Sequence, residues 1–312
     1  MTEELCKCGH TEHSHILTGQ LEGDYRYPCL VSGCDCEHFE PVAARLVNGE
    51  AHSPFLDVPK VYPKSPLRYP GGKSRAIESI CSCIPANETR LHSPFLGGGS
   101  VELACSTKMT VTGSDIFSPL VDFWQVLLDN RKLLVERVRS YYPLSRTKFY
   151  NLQKRYTQLE DKVERAAAFF VLNRTSFSGT TLSGGMSPGH PRFTESAIER
   201  LESFEITNFA VECADFKDSI PKHPFDFLYL DPPYANGQAL YGIDGDTHKD
   251  FDHKALADLI LGRDRWILSY NDCKLIRDIY KDNTILSLEW VYGMSKDKQS
   301  SEVLILSRDL SI

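Results

Sequence analysis

Four consecutive residues carry the strongest chemical signal in this 312-residue sequence: Asp231, Pro232, Pro233 and Tyr234. The apolar run Phe227-Leu228-Tyr229-Leu230 leads into them and reads as a buried strand of a parallel sheet. Two successive prolines exclude both helix and ladder pairing, so the chain leaves the sheet at Asp231. Ligands of open α/β sheets bind at the carboxyl ends of strands, where this acid falls. Proline lacks an N–H but keeps its carbonyl. The turn therefore offers two acceptors, the Asp231 carboxylate and the Pro232 carbonyl, with Tyr234 as a flat apolar face beside them. Two acceptors and an aromatic plate suit an exocyclic amino group on a planar base. The bland alternative is an ordinary strand-to-loop exit, since Asp-Pro alone is common.

A second constellation lies upstream. A strand from Arg90 to Leu96 runs into Gly97-Gly98-Gly99-Ser100 and a helix, and the next strand, Val111 to Gly113, ends at Ser114-Asp115. An acid at that strand end is placed for ribose hydroxyls. Glu102 stands at the third glycine position of a dinucleotide fingerprint, which favours a mononucleoside-type cofactor over NAD. Before it, Leu67-Arg68-Tyr69-Pro70-Gly71-Gly72-Lys73-Ser74 precedes a helical pattern at Ile77, Ile80 and Ile84. Paired glycines there let backbone approach a ligand, and a helix start favours an anion. Leu at 67 removes the first glycine that a triphosphate-binding loop needs.

The third constellation is N-terminal. Cys6, Cys8, His10, His15, Cys29, Cys34 and Cys36 form a pool from which a tetrahedral zinc site could be drawn, because a short segment with little apolar residue needs a staple. A disordered or disulfide-linked segment is the alternative. Residues 1–40 hold 2 basic and 8 acidic residues, which favours a stabilising or protein-contact role over a grip on phosphates.

The elements that position these groups read as follows. Residues 41–66, with five prolines, look like a linker. Residues 122–174 are helical, with basic residues interleaved among aromatics, and 178–192 form a polar loop rich in Gly, Ser, Thr and Pro. Further strands are expected at 209–213, 225–230 and 266–270, and a terminal hairpin at 285–291 and 303–306. The net charge of −7 argues against a protein that grips nucleic acid all over, yet residues 131–205 carry 13 Lys+Arg against 8 Asp+Glu, a local basic island. No apolar run approaches the length of a membrane span and no leader pattern opens the chain, so a cytoplasmic protein is expected.

Six motifs now coincide in order: Arg68 to Lys73, Ser93-Pro94-Phe95-Leu96-Gly97-Gly98-Gly99-Ser100, Ser114-Asp115, Leu172-Asn173-Arg174, Asp215-Phe216 and Asp231 to Tyr234. Over roughly residues 67–308 the chain resembles the Dam family of N6-adenine DNA methyltransferases. The resemblance implies a Rossmann-like α/β fold, with a seven-stranded, mostly parallel sheet and a helical target-recognition insert. It implies S-adenosylmethionine as methyl donor and double-stranded DNA as substrate. Tyr69, Pro70, Gly71 and Lys73, with Phe95, Gly97 and Gly99, would hold the donor's methionine end. Asp115 would take its ribose, and Asp215 and Phe216 its adenine. Asp231, Pro232, Pro233 and Tyr234 would hold the flipped target base, with Asp231 also facing the donor. Asn173, Arg174, His190 and Arg192 would contact DNA.

The expected organisation is then a Cys/His zinc module (1–40), a linker (41–66), a catalytic domain (67–130 and 206–312) and the insert (131–205). The chain departs from the family twice. Ser93 stands where the family has an acid before Pro-Phe, and the loop Ser178 to Met186 lacks the family's aromatic and Asn residues, so no target sequence is transferred. N4-cytosine methylation is the competing enzyme reading. A catalytically inactive, zinc-bearing DNA-binding subunit is the competing reading of another class.

Overall fold

The computed structural model describes residues 54–188, 192–234, 251–288 and 302–310, together with the backbone of 46–47 and 50–51. Seven strands form one sheet: β1 (Arg90–Ser93), β2 (Thr110–Asp115), β3 (Phe209–Cys213), β4 (Phe227–Leu230), β5 (Trp266–Asn271), β6 (Thr284–Leu288) and β7 (Glu302–Leu306). Their order is β3-β2-β1-β4-β5-β7-β6. β1 to β5 pair in parallel, and β7 runs antiparallel to both β5 and β6. The terminal hairpin expected from the sequence is therefore present, with its return strand inserted beside β5. Every residue of β4 is buried, as its unbroken apolar run requires when both faces of a parallel sheet are covered.

The chain winds outward in opposite directions from β1 and β4, so the crevice of the switch point opens above these two strands. Their carboxyl ends carry Ser93 and Asp231.

Helices cover the sheet, and three matter most for the site. α2 (Ser100–Cys105) starts directly from the glycine turn, with Gly99 as its cap residue. α3 (Ser118–Asp129) packs against α6 (Lys162–Thr175), where Phe123 and Phe170 stack at 5.8 Å. α6 is capped by Asp161, whose side chain accepts from the Glu164 N–H. It is buried almost continuously from Ala166 to Asn173, because helices pack on it from several sides. The insert, with α4 (Arg131–Ser140), α5 (Arg146–Arg155) and α7 (Glu195–Glu202), thus shares one continuous core with α3.

Two sequence expectations change. α1 (Ile77–Cys81) stops before Ile84, because the chain turns at Ser82 and meets Pro85. The second half of the supposed linker is docked: the Leu56 N–H donates to the Ile84 carbonyl at 2.7 Å, the Ala86 N–H to the Pro54 carbonyl at 2.9 Å, and Leu56 is buried.

Candidate active site

Asp231 emerges from β4 into a buried ion pair that its sequence neighbours do not announce. Lys73 Nζ donates to both Asp231 carboxylate oxygens, at 2.7 and 2.8 Å, and to the Gly71 carbonyl at 2.8 Å. The two side chains keep 4% and 21% of their exposure. Burial pushes the Asp231 carboxyl above its ordinary value and Glu302 adds to the push; the charge and hydrogen bonds of Lys73 oppose it. The Tyr234 ring stands beside the pair, its centroid 5.1 Å from the lysine ammonium. Its hydroxyl is pushed well above the ordinary tyrosine value by burial, and then by Asp231 and Glu302.

Across the crevice, the glycine turn is held from three sides. The Gly97 N–H donates to Asp115 Oδ2 at 3.1 Å, the Gly97 carbonyl accepts from Trp124 Nε1 at 3.1 Å, and the Tyr69 ring lies over the turn. Gly97 has φ +49, and a Cβ there would sit 2.9 Å from Tyr69 Cε1, so only glycine fits. Asp115 Oδ1 also accepts the Phe117 N–H at 2.9 Å. Burial raises the Asp115 carboxyl, while the backbone donors of Phe117, Gly97 and Ile116 oppose the rise. Asp115 is thus a latch for the turn, with lone pairs left for a ligand hydroxyl.

Asp215 caps α8 (Phe216–Lys222) by accepting the Lys217 N–H at 2.8 Å. Phe216 lies 5.5 Å from Phe95 and 5.3 Å from Phe251, and the three rings make an aromatic wall.

These residues fit S-adenosylmethionine. A turn stripped of side chains faces an acid at the β2 end, and an aromatic wall is present. Lys73 lies at the Asp231 end of this arrangement.

On the insert side, the expected DNA contacts divide. Asn173 is buried. Its Oδ1 accepts the Arg68 N–H at 2.8 Å, and its Nδ2 donates to the carbonyls of Arg68 (2.8 Å) and Gly179 (3.3 Å) and to Thr181 Oγ1 (3.1 Å). Both amide hydrogens and one oxygen lone pair thus hold Arg68 against the loop that follows α6. Gly179, at φ +77, passes so close to Arg68 that a Cβ would sit 2.1 Å from the Arg68 carbonyl oxygen.

Arg174 is different. Among the described residues its guanidinium donates to backbone carbonyls, those of Arg192 (3.2 Å) and Pro66 (3.4 Å). It is lowered to about 10 by burial and by repulsion from Arg200, Arg68 and Arg192. Burial and Arg192 lower Arg68 likewise, and of the described residues no acid is among the charges acting on either. Phe177, 62% exposed, projects from the same loop. His190 lies outside the described residues, as do Cys6, Cys8, His10, His15, Cys29, Cys34 and Cys36. Among the described residues no group of three or more His, Cys, Asp or Glu could hold a metal ion, and no helix is long and apolar enough to cross a membrane.

Three groups went unassigned in the sequence. Glu302, from β7, acts on Asp231 and Tyr234. Gln153 Nε2 donates to the carbonyls of Thr181, Leu182 and Gly184 and so anchors the loop. Glu102 accepts the Ser93 hydroxyl at 2.6 Å, which returns a carboxylate to the strand end where Ser93 itself has none. Only the misplaced acid at 102 left a signal in the sequence.

The mostly parallel sheet carries an acid-proline turn at its switch point and a helical insert that bears arginines. The model of the D12 class N6 adenine-specific DNA methyltransferase family matches residues 69–294, and the chain belongs to that family. Among its relatives, the DNA N-6-adenine-methyltransferase of Escherichia phage P1 is 25% identical over 245 residues, a match covering 71% of this chain and 32% of that protein. The DNA adenine methylase of Haemophilus influenzae is 24% identical over 242 residues, covering 71% and 84%. The Type II methyltransferase M1.LlaDCHI of Lactococcus lactis subsp. cremoris is 24% identical over 246 residues, covering 71% and 86%. The chain therefore spans about a third of the phage protein and most of the other two. Family and relatives alike favour adenine-N6 chemistry over the cytosine and inactive-subunit readings.

Proposed function

We propose that the chain methylates N6 of an adenine flipped out of double-stranded DNA, with Asp231, Pro232 and Tyr234 holding the base. The observation that carries this is the Asp231 carboxylate, fixed by Lys73 at the switch-point end of β4 beside the Tyr234 ring.

The target adenine must leave the stack to reach this crevice. Tyr234 then stacks on the base, and Pro233 completes the rigid turn that presents the acceptors. Asp231 and the Pro232 carbonyl accept the two N6 hydrogens; a carboxylate has lone pairs enough to serve Lys73 and the base together. This turns the N6 lone pair away from the ring. When bound, S-adenosylmethionine supplies a sulfonium methyl, and the C–S bond breaks to leave a thioether. Asp231 places a negative charge beside N6 as that nitrogen becomes cationic, and accepts the proton it then loses. No cysteine nucleophile is required. Asp115 binds the donor ribose, Phe216 and Asp215 its adenine, and Tyr69, Pro70, Gly71, Phe95, Gly97 and Gly99 its methionine end. Among the described residues, no acid enters the field that Arg68 and Arg174 share with Arg192 and Arg200. Such a cluster suits DNA phosphates, so binding should weaken steeply with salt. Phe177 offers an apolar face to the bases. The N-terminal Cys/His pool binds zinc and meets a protein partner.

The test is expression in a host without adenine methylation, followed by modification-sensitive single-molecule sequencing of its DNA. N6-methyladenine at one short motif is expected. N4-methylcytosine, or unmodified DNA despite donor binding, overturns the assignment.

A further inference from the structure

A second buried dyad, which the mechanism does not use, stands at the carboxyl end of β1, the strand paired directly with β4 and so beside the exit of Asp231. Ser93 ends β1 with 0% exposure and Glu102, in the first turn of α2, keeps 2%. Their hydrogen bond, Ser93 Oγ to Glu102 Oε1, is 2.6 Å long. A buried carboxylate is costly unless something nearby needs its charge. Among the described residues, the titratable groups that act on Glu102 or are acted on by it include Lys73, Asp231, Tyr229 and Cys105, of which Lys73 is the cation.

We propose that Glu102, held by Ser93, is a positioning residue for Lys73: a second carboxylate that keeps the lysine seated when the substrate amino group engages Asp231. The inference rests on the methyltransferase reading. Lys73 spends its hydrogen bonds on the two Asp231 oxygens and the Gly71 carbonyl. An incoming N6 group competes for those oxygens. A buried ammonium that loses part of its bonded anion is strongly destabilised, and a standing negative charge at Glu102 offsets that loss. Burial pushes the Glu102 carboxyl up to about 7, and the Ser93 hydrogen bond opposes the rise. The support is thus present above neutral pH and withdrawn below it.

Single-turnover methyl transfer, measured from pH 6 to 9 on the full chain, tests this. The wild type should show an acid limb near neutrality. Glu102→Gln, an isosteric change, should erase that limb and leave a rate about tenfold below the wild-type plateau, the worth of roughly one pKa unit of coupling. Ser93→Ala should move the limb to higher pH, because it removes the bond that favours the ionised form. A purely structural role would lower the rate at every pH and leave the limb in place, which would overturn the proposal.

A measurement independent of turnover is a carbon-13 carboxyl titration of glutamate-labelled protein. One glutamate should titrate near neutrality, vanish in Glu102→Gln and titrate higher in Lys73→Met. A Glu102 titration indifferent to Lys73→Met refutes the coupling even if the wild type methylates nothing; a wild type without methylation, by contrast, sinks only the methyltransferase reading.

Discussion

Both ends of the sheet carry acids that are buried or half-buried, yet the two sets are treated in opposite ways. At the amino end, Asp226 sits just before β4. Arg90 reaches both of its oxygens, at 2.7 and 3.4 Å, and His223 Nδ1 lies 2.8 Å away. These partners outweigh burial and hold the Asp226 carboxyl below its ordinary value. Glu88 is likewise gripped by Arg265, and His223 stacks on His92 at 3.9 Å. At the carboxyl end, Asp115, Asp231 and Glu102 all lie above their ordinary values, because burial outweighs the donors they are given. Acids saturated by guanidinium groups stabilise a fold. Acids left short of partners keep capacity for a substrate.

The largest expected break in this contrast is Asp231→Ala. Methyl transfer should fall roughly a hundred- to a thousandfold or more, the lower part of which is the worth of one charge-stabilising group. Donor binding by calorimetry should stay close to wild type. Near-normal turnover would remove Asp231 from the chemistry.

Asp115→Asn comes next. It keeps the shape but loses the charge, and should weaken donor affinity roughly ten- to a hundredfold, the worth of a charge-assisted hydrogen bond. The rate at saturating donor should change far less.

Asp226→Asn should do the reverse. It should lower the melting temperature by a few degrees, since it strips His223 and Arg90 of their anion, and leave kcat intact. The effect is modest because Arg90 is largely exposed.

The smallest effect sharpens the contrast by its sign. Asp226 has a depressed carboxyl, so its stabilisation is present above the ordinary value of 3.8 and is lost as pH falls through the lower folded value. Glu102 has a raised carboxyl, so its contribution is present below 4.5 and is lost as pH rises through about 7. Thermal melts across pH should therefore show Glu102→Gln gaining on wild type above neutrality, and Asp226→Asn losing its deficit in acid. Parallel curves for the two variants would erase the distinction between the two ends.

How much of this is legible in the sequence follows from the same physics. β4 and Asp231 can be read because a continuous apolar run closed by two prolines has few structural outcomes. β3 falls at the bounds its residues suggest, and the sheet's terminal hairpin follows from two apolar runs around a polar loop. The Lys73–Asp231 pair is not legible, since it joins residues 158 positions apart and no local pattern encodes it. Asn173 illustrates a related limit. An Asn-Arg pair beside a polar loop suggests a base reader, and no local pattern shows that the Asn side chain is buried against the Arg68 backbone, 105 positions away. Glu102 is visible as a misplaced acid in a glycine motif, and its meaning comes only with Ser93 beside it.

The most direct test of the central assignment is transfer from methyl-labelled S-adenosylmethionine to duplex DNA by the purified protein, with the nucleosides resolved by mass spectrometry. Label on N6-methyladenine alone is expected. Label on N4-methylcytosine, or donor binding with no label in DNA, would contradict the role of Asp231 and Tyr234 as the residues that hold a flipped adenine for methylation.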